Sequence, residues 1–270
     1  MTDRYAVMGN PIGHSKSPMI HQQFAEQTRQ DLNYEAIQVA TDGFAEAVNA
    51  FYESGGKGLN ITVPFKLQAW ELANHLSSRA ERAGAVNTLS FSSDGLLSGD
   101  NTDGVGLVRD LMSNHSIEIN GKRLLLMGAG GAARGVISPL VEQKPESITI
   151  ANRTVSRACE LAGQFDDLGK IKGCGFNDLQ GERFDIIINA TAAGLDDEIP
   201  VLPAGVINTE SICYDMMYST EPTAFVRHAK QLGAHQAVDG LGMLVEQAAE
   251  SFTLWRRVRP ETQSVIAALR

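Results

Sequence analysis

The feature that most constrains this chain is a short apolar segment that runs directly into a glycine-rich turn. Residues 123–127 are almost entirely apolar, which is typical of a strand buried on both faces of a parallel sheet. The turn that follows, Gly128-Ala129-Gly130-Gly131-Ala132-Ala133, has the pattern G-x-G-x-x-A and opens a helical stretch. Strand, turn and helix in this order predict a dinucleotide-binding site. A glycine-rich turn that binds no ligand is the alternative.

The small residues of this turn have physical roles in such a site. Gly128 permits the tight turn, and Gly130 lets a pyrophosphate approach the backbone N–H groups at the start of the helix. The small side chain of Ala133 allows the helix to pack closely against the strand. We therefore predict that the cofactor contacts Gly128, Ala129, Gly130, Gly131 and Ala132.

The end of the next predicted strand, residues 147–151, indicates which dinucleotide binds. A site for NAD has an acidic residue about 20 residues past the glycines, where it holds the ribose 2′-hydroxyl. This strand ends instead in Asn152-Arg153-Thr154, without a carboxylate, and Arg157 follows one helical turn after Arg153. Because a guanidinium can donate two charge-assisted hydrogen bonds to a phosphate, these residues favour NADP. The alternative is a pair of solvated surface arginines.

Strand-like and helix-like segments alternate along the whole chain, which predicts βα units and mostly parallel sheets. A chain of 270 residues suits two α/β domains that share a cleft. We predict an N-terminal α/β substrate-binding domain of residues 1–103, onto which C-terminal helices of residues 240–270 pack back. A Rossmann-like, doubly wound parallel sheet of residues 104–239 forms the NADP-binding domain. Turn-prone Asp-Gly pairs at 103–104 and 239–240 are the predicted crossing points.

The hydrophobic pattern also predicts individual elements. The predicted strands are residues 5–9, 34–39, 58–63, 86–91, 123–127, 147–151, 184–189 and 211–215. The predicted helices cover residues 18–30 and 44–52 and a long amphipathic stretch from about residue 241. That last helix needs another part of the protein to cover its apolar face.

Charge and cysteine content argue against several classes of function. The net charge of −9 and the pI of about 5.2 disfavour nucleic-acid or anionic-membrane binding, since both need a positive surface. No segment approaches the ~18 apolar residues of a membrane span, and the first residues lack an apolar signal core. Three widely spaced cysteines and six histidines without ligand spacing predict no metal site, reduced thiols and a cytoplasmic location. The expected partner is a small molecule, and the chain is a monomer or a homodimer.

Two polar segments contain candidates for proton transfer. Residues 60–66 place Lys66 just after a predicted strand, and residues 99–104 form a polar cluster at the first crossing point. Taken singly, Lys66 could be a solvated lysine, and Asp103 could cap the following helix. The cluster is not an EF-hand loop, because its first position would be Gly99, which has no side-chain ligand. His14 lies beside the expected pocket, and we do not expect it to be catalytic.

Many blocks of the sequence, in order and spacing, resemble the shikimate dehydrogenase family over nearly the whole chain. They are residues 9–18 (GNPIGHSKSP), 60–66 (NITVPFK), 85–88 (AVNT), 99–104 (GDNTDG), 128–134 (GAGGAAR), 152–154 (NRT), 189–191 (NAT) and 239–247 (DGLGMLVEQ). The resemblance implies an NADP-dependent oxidoreductase that reversibly reduces 3-dehydroshikimate to shikimate in aromatic amino-acid and chorismate biosynthesis. The chain departs from the family at Ala192, where Ser is frequent, and at Thr220, where Pro is common.

The resemblance also implies roles for particular residues. Lys66 and Asp103 form the catalytic pair, and Ser15 and Ser17 bind the substrate carboxylate. The ring hydroxyls are held by Asn60, Thr62, Asn87 and Gln247, with Tyr218 nearby, and the nicotinamide end is lined by Thr191, Met216 and Gly240. The chemistry agrees, because hydride delivered to a ketone leaves a developing alkoxide, which a lysine ammonium can stabilise and protonate.

Two alternatives remain open at this point. A related enzyme of the same fold could oxidise quinate, or both acids, often with NAD. Arg153 and the missing acidic residue argue against NAD, but nothing in the sequence excludes quinate as a substrate. A nucleotide-sensing protein without turnover is the second alternative, and it would be expected to lose Lys66 or Asp103, whereas this chain retains both.

Overall fold

The computed structural model describes residues 2–191 and 199–270 of the 270-residue chain. These residues form two compact units, each built around one six-stranded sheet. The first unit comprises the chain up to Gly106 together with Leu244–Arg270, and the second unit comprises Leu107–Met243. Among the described residues, no helix is both long and apolar enough to cross a membrane.

The first unit contains a mixed sheet. Its elements up to Asp100 are β1 (Asp3–Gly9), α1 (Ser17–Thr28), β2 (Leu32–Gln38), α2 (Phe44–Glu53), β3 (Gly56–Ile61), α3 (Lys66–Leu72), β4 (His75–Leu76), α4 (Ser78–Ala83), β5 (Thr88–Phe91) and β6 (Leu97–Asp100). The strand order is β2-β1-β3-β5-β6-β4. β1 is parallel to β2 and β3, whereas β5 is antiparallel to β3 and β6. Parallel pairs predominate in this sheet, as expected, because β4 and β6 are also parallel, and β5 is the exception.

The antiparallel pairing follows from the short connection between β5 and β6. Ser92 N–H donates to Leu96 O at 3.0 Å, and Gly95 between them has a φ of +85°, which favours glycine. Such a tight turn can join only antiparallel strands, since parallel strands need a crossover of a dozen or more residues. The predicted strands lack β4 and β6, because β4 has two residues and the segment Leu-Ser-Gly-Asp of β6 has one apolar residue.

The second unit contains a parallel sheet. Its elements are α5 (Asp103–Arg109), which begins in the first unit, a π-helical turn (Asp110–Asn114), β7 (Arg123–Met127), α6 (Gly131–Glu142), β8 (Ser147–Ala151), α7 (Val155–Gly163), β9 (Ile171–Cys174), a 3₁₀ turn (Phe176–Leu179), β10 (Ile186–Asn189), β11 (Ile212–Asp215), α8 (Ala224–Gln231) and β12 (Gln236–Val238). The strand order β12-β11-β10-β7-β8-β9, with every pair parallel, is that of a doubly wound Rossmann sheet. The predicted Rossmann-like sheet is confirmed, and β7 and β8 match the predicted strands residue for residue.

The chain ends with α9 (Leu241–Arg256) and α10 (Gln263–Leu269), and it belongs to the first unit from Leu244 onward. On α9, Val245, Ala248, Ala249 and Phe252 follow helical spacing and pack with the buried face of α1. Burying a large apolar side chain such as Phe252 stabilises the fold by about 1.5–3 kcal/mol. The amphipathic helix predicted from residue 241 is thus covered by the first unit.

The central strands of both sheets are buried on two faces. In β7, Leu124 and Leu126 belong to one hydrophobic cluster, and Leu125 and Met127 belong to another on the opposite face. This alternation follows from the two-residue period of a strand, and it explains why residues 123–127 are nearly all apolar. Ala133 of α6 is fully buried in the first of these clusters.

Candidate functional site

The ammonium of Lys66 and the carboxylate of Asp103 are in direct contact. Lys66 is the first residue of α3, and Asp103 is the first residue of α5, where the helix dipole favours a carboxylate. Lys66 Nζ lies 2.5 Å from Asp103 Oδ2, and the two side chains are 31% and 17% exposed. An ammonium has three N–H donors, so Lys66 keeps donors for a ligand while it holds this ion pair.

The second oxygen of the Asp103 carboxylate is held by Asn87, which is only 2% exposed. Asn87 Nδ2 donates to Asp103 Oδ1 at 2.7 Å, and Asn87 Oδ1 accepts from the backbone N–H of Thr102 at 2.9 Å. A backbone N–H can only donate, so this contact fixes which end of the Asn87 amide carries the oxygen. The Val86 N–H also donates to Lys66 O at 2.9 Å, which ties this segment to α3. Asp103 is therefore fixed between an amide and an ammonium.

Asn60 and Gln247 belong to the same hydrogen-bond network. Asn60 Nδ2 lies 3.0 Å from Ser251 Oγ and 3.2 Å from both Thr88 Oγ1 and Asn87 O. Gln247 Oε1 accepts from Asn87 Nδ2 at 3.4 Å. Five of the predicted site residues are thus joined in the first unit: Asn60, Lys66, Asn87, Asp103 and Gln247.

Thr62 lies in the turn after β3, which packs closely against the end of β1. A Cβ added at Gly9 would lie only 2.4 Å from Thr62 Cγ2, so the approach of these two segments requires glycine. The backbone N–H of Asn10 donates to Val63 O at 3.0 Å. These contacts place the turn that carries Thr62 beside the loop that follows β1.

Ser15 and Ser17 lie in that loop and at the start of α1. The backbone N–H of Ser17 donates to Ser15 Oγ at 3.3 Å, so the two residues lie side by side. Ser17 is nearly buried, and its hydroxyl lies next to the Tyr34 phenol, whereas Ser15 is half-buried. His14 is exposed.

The predicted nucleotide turn has the backbone that its glycines suggested. Gly128 has a φ of +103°, and a Cβ there would lie 3.1 Å from Ala190 O. A Cβ at Gly130 or Gly131 would meet no atom within 4 Å. The start of α6, whose first N–H groups have no helical partner, therefore faces open space that can admit a pyrophosphate. Ala129 and Ala132 flank these glycines.

Asn152, Arg153, Thr154 and Arg157 cluster at the carboxyl end of β8. α7 begins directly after Thr154, and Asn152 Nδ2 donates to Thr154 O at 3.0 Å. Both arginines are exposed, and within residues 2–191 and 199–270 neither has a carboxylate within 4.0 Å. Two cations beside a helix N-terminus form a site that suits a phosphate.

Thr191, Met216 and Gly240 come together at the carboxyl ends of β10, β11 and β12. Thr191 Oγ1 donates to Asn189 Oδ1 at 2.7 Å, and a Cβ at Gly240 would lie 2.4 Å from Met216 O. Asn189 and Met216 are joined by a backbone hydrogen bond of 2.9 Å. The strand order reverses between β7 and β10, and nucleotides bind at this switch point in open α/β sheets.

Tyr218 lies in the second unit, in the loop that follows β11. Its side chain is half-buried, and burial raises the pKa of its phenol. The predicted substrate contacts are thus divided between the two units, because all the others belong to the first. Ala192, one of the two departures from the family pattern, lies outside the described residues. Within the described residues, no group of three or more His, Cys, Asp or Glu side chains is placed to bind a metal.

Several residues of the network were not predicted from the sequence. Thr88 and Thr102 lie within the blocks that carry the resemblance, so those blocks already held their signal. Ser251 follows Gln247 by one helical turn, and this spacing could have identified it. Tyr34, whose hydroxyl contacts Asn60, lies in a predicted strand, but only the strand pairing brings it near the site.

Models of protein families match three segments of the chain. The shikimate dehydrogenase substrate-binding domain matches residues 7–89, shikimate/quinate 5-dehydrogenase matches residues 110–196, and the shikimate 5′-dehydrogenase C-terminal domain matches residues 240–270. A curated relative, the shikimate dehydrogenase (NADP(+)) of Alkalilimnicola ehrlichii, is 60% identical over 270 residues, which cover 100% of this chain and 99% of the relative. The resemblance found in the sequence is therefore confirmed.

Solved structures show the same similarity. The shikimate 5-dehydrogenase of Thermus thermophilus in complex with NADP(H) and shikimate is 31% identical, with a TM-score of 0.87 and coverage of 98% of each chain. The shikimate 5-dehydrogenase of Listeria monocytogenes in complex with shikimate and NAD is 28% identical, with a TM-score of 0.90 and coverage of 100% of this chain and 96% of that one.

Proposed function

The chain belongs to the shikimate dehydrogenase family, and we propose that Lys66 and Asp103 move the proton in its reaction. That reaction is the reversible, NADPH-dependent reduction of 3-dehydroshikimate to shikimate. The observation that carries the proposal is the 2.5 Å contact between Lys66 Nζ and Asp103 Oδ2, in a pair that is still partly exposed. A binding protein without turnover would not need an acid and a base held in this arrangement.

The roles of the two residues follow from the charge that develops in the reaction. NADP, when bound in its reduced form, supplies the hydride that the ketone carbon accepts. The ketone oxygen then gains negative charge, which the Lys66 ammonium stabilises and neutralises by donating a proton. In the reverse direction Lys66 takes the proton back from the hydroxyl. Asp103 orients the ammonium, because Asn87 already holds its other oxygen.

The polar side chains of the first unit suit a polyhydroxylated acid. Ser15 and Ser17 bind the carboxylate, the ring hydroxyls are held by Asn60, Thr62, Asn87 and Gln247, and the family resemblance assigns Tyr218 to the same ligand. Each substrate hydroxyl needs a partner once it leaves water, since a buried polar group without one costs about 1–3 kcal/mol. A substrate with several hydroxyls accounts for a site so rich in Ser, Thr and Asn.

The residues of the second unit fit NADP. The start of α6 would hold the pyrophosphate in the open space beside Gly130 and Gly131, and Gly128, Ala129 and Ala132 complete the turn. The 2′-phosphate is bound by Arg153 and Arg157, with Asn152 and Thr154 beside them. The nicotinamide end is lined by Thr191, Met216 and Gly240. In this assignment residues 1–103 with 240–270 form the substrate-binding domain, and residues 104–239 form the NADP-binding domain.

We also propose that the enzyme works in the cytoplasm as a monomer or a homodimer. Its three cysteines, Cys159, Cys174 and Cys213, are free thiols, which suits a reducing compartment. Light scattering during size-exclusion chromatography distinguishes the two oligomeric states.

The test is an absorbance assay at the NADPH band with shikimate and NADP supplied. Lys66→Ala is expected to lower kcat by roughly 10²–10⁴, the usual range for a general acid or base, with a much smaller effect on KM. Lys57→Ala, at an exposed position on β3, is the matched control and should behave as the wild type. A near-normal kcat in Lys66→Ala would remove Lys66 from this role.

The same assay decides between shikimate and quinate, because one of the matching family models includes quinate. We expect a higher kcat/KM for shikimate with NADP than for quinate with NAD. The opposite preference would overturn the substrate assignment.

A further inference from the structure

Tyr34 has no part in the proposed reaction, yet its phenol contacts a residue of the substrate site. Tyr34 lies on β2, is 8% exposed, and its hydroxyl is 2.7 Å from Asn60 Oδ1. Burial raises the pKa of the phenol well above its usual value, so the hydroxyl keeps its hydrogen and can donate it. Asn60 therefore has a permanent donor on its oxygen side.

The orientation of the Asn60 amide is fixed by a partner that can only accept. Asn60 Nδ2 lies 3.2 Å from the backbone oxygen of Asn87, which has no hydrogen to donate, so the NH₂ group must face that side. The hydroxyls of Ser251 and Thr88 lie 3.0 and 3.2 Å from the same nitrogen. The two amide hydrogens thus have enough internal acceptors. The His21 ring also lies near this amide, but neither of its nitrogens makes a hydrogen bond to any described residue. The capacity that Asn60 retains for a ligand is therefore the second lone pair of Oδ1.

The aromatic surroundings hold the Tyr34 phenol in place. The His21 ring stacks on Tyr34 with a centroid distance of 4.1 Å and an interplanar angle of 4°. Trp255 lies on the same side of the sheet, 6.4 Å from the Tyr34 ring. A ring packed in this way cannot swing away from Asn60 without losing these contacts.

We propose that Tyr34 is a positioning residue that acts through Asn60. By holding the Asn60 amide, it makes the substrate site select an acid with a ring hydroxyl that donates its hydrogen to Asn60 Oδ1. The inference rests on the proposed function, since it requires a hydroxylated ring as the ligand. An acid without that hydroxyl leaves the lone pair of a nearly buried oxygen empty, and sites of this kind discriminate strongly against such analogues.

The first experiment replaces Tyr34 by phenylalanine, which removes only the hydroxyl. With NADP saturating, the KM for shikimate should rise about tenfold, the scale expected when a buried acceptor loses its donor. The value of kcat and the KM for NADP should stay within about twofold, because neither the Lys66–Asp103 pair nor the second unit is touched. The matched control is Tyr52→Phe on α2, whose ring stacks on Phe91, and it should leave all three constants unchanged.

The second experiment measures by calorimetry how tightly the enzyme binds shikimate and three analogues, each of which lacks one ring hydroxyl. In Tyr34→Phe, the preference for shikimate over one of them should fall about tenfold, and the preference over the other two should not change. In an Asn60→Ala background, Tyr34→Phe should cause a much smaller loss of shikimate binding, measured by calorimetry, than it causes in the wild type, because only the contact of the phenol with Ser17 would then remain to be lost.

Three outcomes would overturn the inference. They are an unchanged KM for shikimate in Tyr34→Phe, an equal fall in the preference for shikimate over all three analogues, and additive losses of shikimate binding in the double variant. Failure of the proposed function looks different. In that case the wild type and Tyr52→Phe would not oxidise shikimate with NADP at all.

Discussion

Removing Arg153 and Arg157 tests whether the end of β8 sets the choice of NADP over NAD. Both guanidinium groups are exposed beside the start of α7, and neither has a carboxylate within 4.0 Å among residues 2–191 and 199–270. Their charges are therefore available to the 2′-phosphate, which NAD lacks. The double variant Arg153→Ala/Arg157→Ala should weaken the use of NADP and leave the use of NAD nearly unchanged.

The expected magnitude follows from the exposure of the two side chains. Two unit charges about 4 Å apart attract each other by about 1 kcal/mol in water and about 4 kcal/mol near a protein surface. Because both arginines are exposed and screened by water, the lower end of that range applies, and we assign about 1 kcal/mol to each. This corresponds to a factor of about 5 in kcat/KM for NADP per arginine, and about 30 for the double variant.

The assay compares kcat/KM for NADP and for NAD at saturating shikimate, at low and at high salt. In the wild type, high salt should raise the KM for NADP, because screening weakens contacts between exposed charges, and the double variant should have lost this dependence. Arg183→Ala, at an exposed position in the same unit, is the control and should keep the wild-type values. Equal losses with NADP and NAD, or an unchanged preference for NADP, would refute the assignment of the phosphate site.

Two further predictions concern the first unit. Asn87→Ala removes the amide that donates a hydrogen bond to Asp103 Oδ1. Because a hydrogen bond to a charged group contributes about 1.5–3 kcal/mol, we expect kcat to fall about 10- to 100-fold, with an unchanged KM for NADP. A wild-type kcat would show that Asp103 does not need this hydrogen bond. Burial lowers the pKa of His21 from its usual 6.5 to about 3. As the pH falls, the imidazole is therefore protonated in the unfolded chain before it is protonated in the folded one. The stability that the neutral ring contributes is fully present above pH 6.5 and is lost progressively toward pH 3. Each pH unit below 6.5 should therefore lower the free energy of unfolding by about 1.4 kcal/mol more in the wild type than in His21→Phe. Urea unfolding at pH 7 and pH 5 measures this difference. The control is His235→Gln at an exposed position, which should show the same change of unfolding free energy with pH as the wild type. Parallel pH dependences in the wild type and His21→Phe would contradict the prediction.

The sequence predicts the second sheet better than the first for a physical reason. Strands buried on both faces, such as β7 and β8, are continuous apolar segments with sharp ends, and both were predicted residue for residue. β9 and β12 lie at the two edges of that sheet, where fewer apolar residues are needed, and they were missed. In the first sheet β4 and β6 were missed because their pairing depends on tertiary contacts rather than on local pattern.

The residues of the candidate site also differ in how well the local sequence predicts them. The glycine turn and Arg153 could be interpreted from local sequence, because a strand end followed by a helix start determines where their backbone lies. The contact between Lys66 and Asp103 joins residues 37 positions apart, and the sequence suggested it only through the family resemblance. Tyr34 could not be found in this way, because β1 lies between its strand and the strand of Asn60.

The hydrogen bonds of the first unit indicate different roles for the two members of the proposed catalytic pair. Both oxygens of Asp103 already have partners, one in Asn87 and the other in Lys66. Lys66 uses one of its three donors on Asp103, and its side chain is about twice as exposed. A group with fixed partners is suited to orienting its neighbour, whereas a group with spare donors is suited to meeting new charge on a substrate oxygen. The geometry therefore favours Lys66 as the residue that exchanges the proton and Asp103 as the residue that directs it.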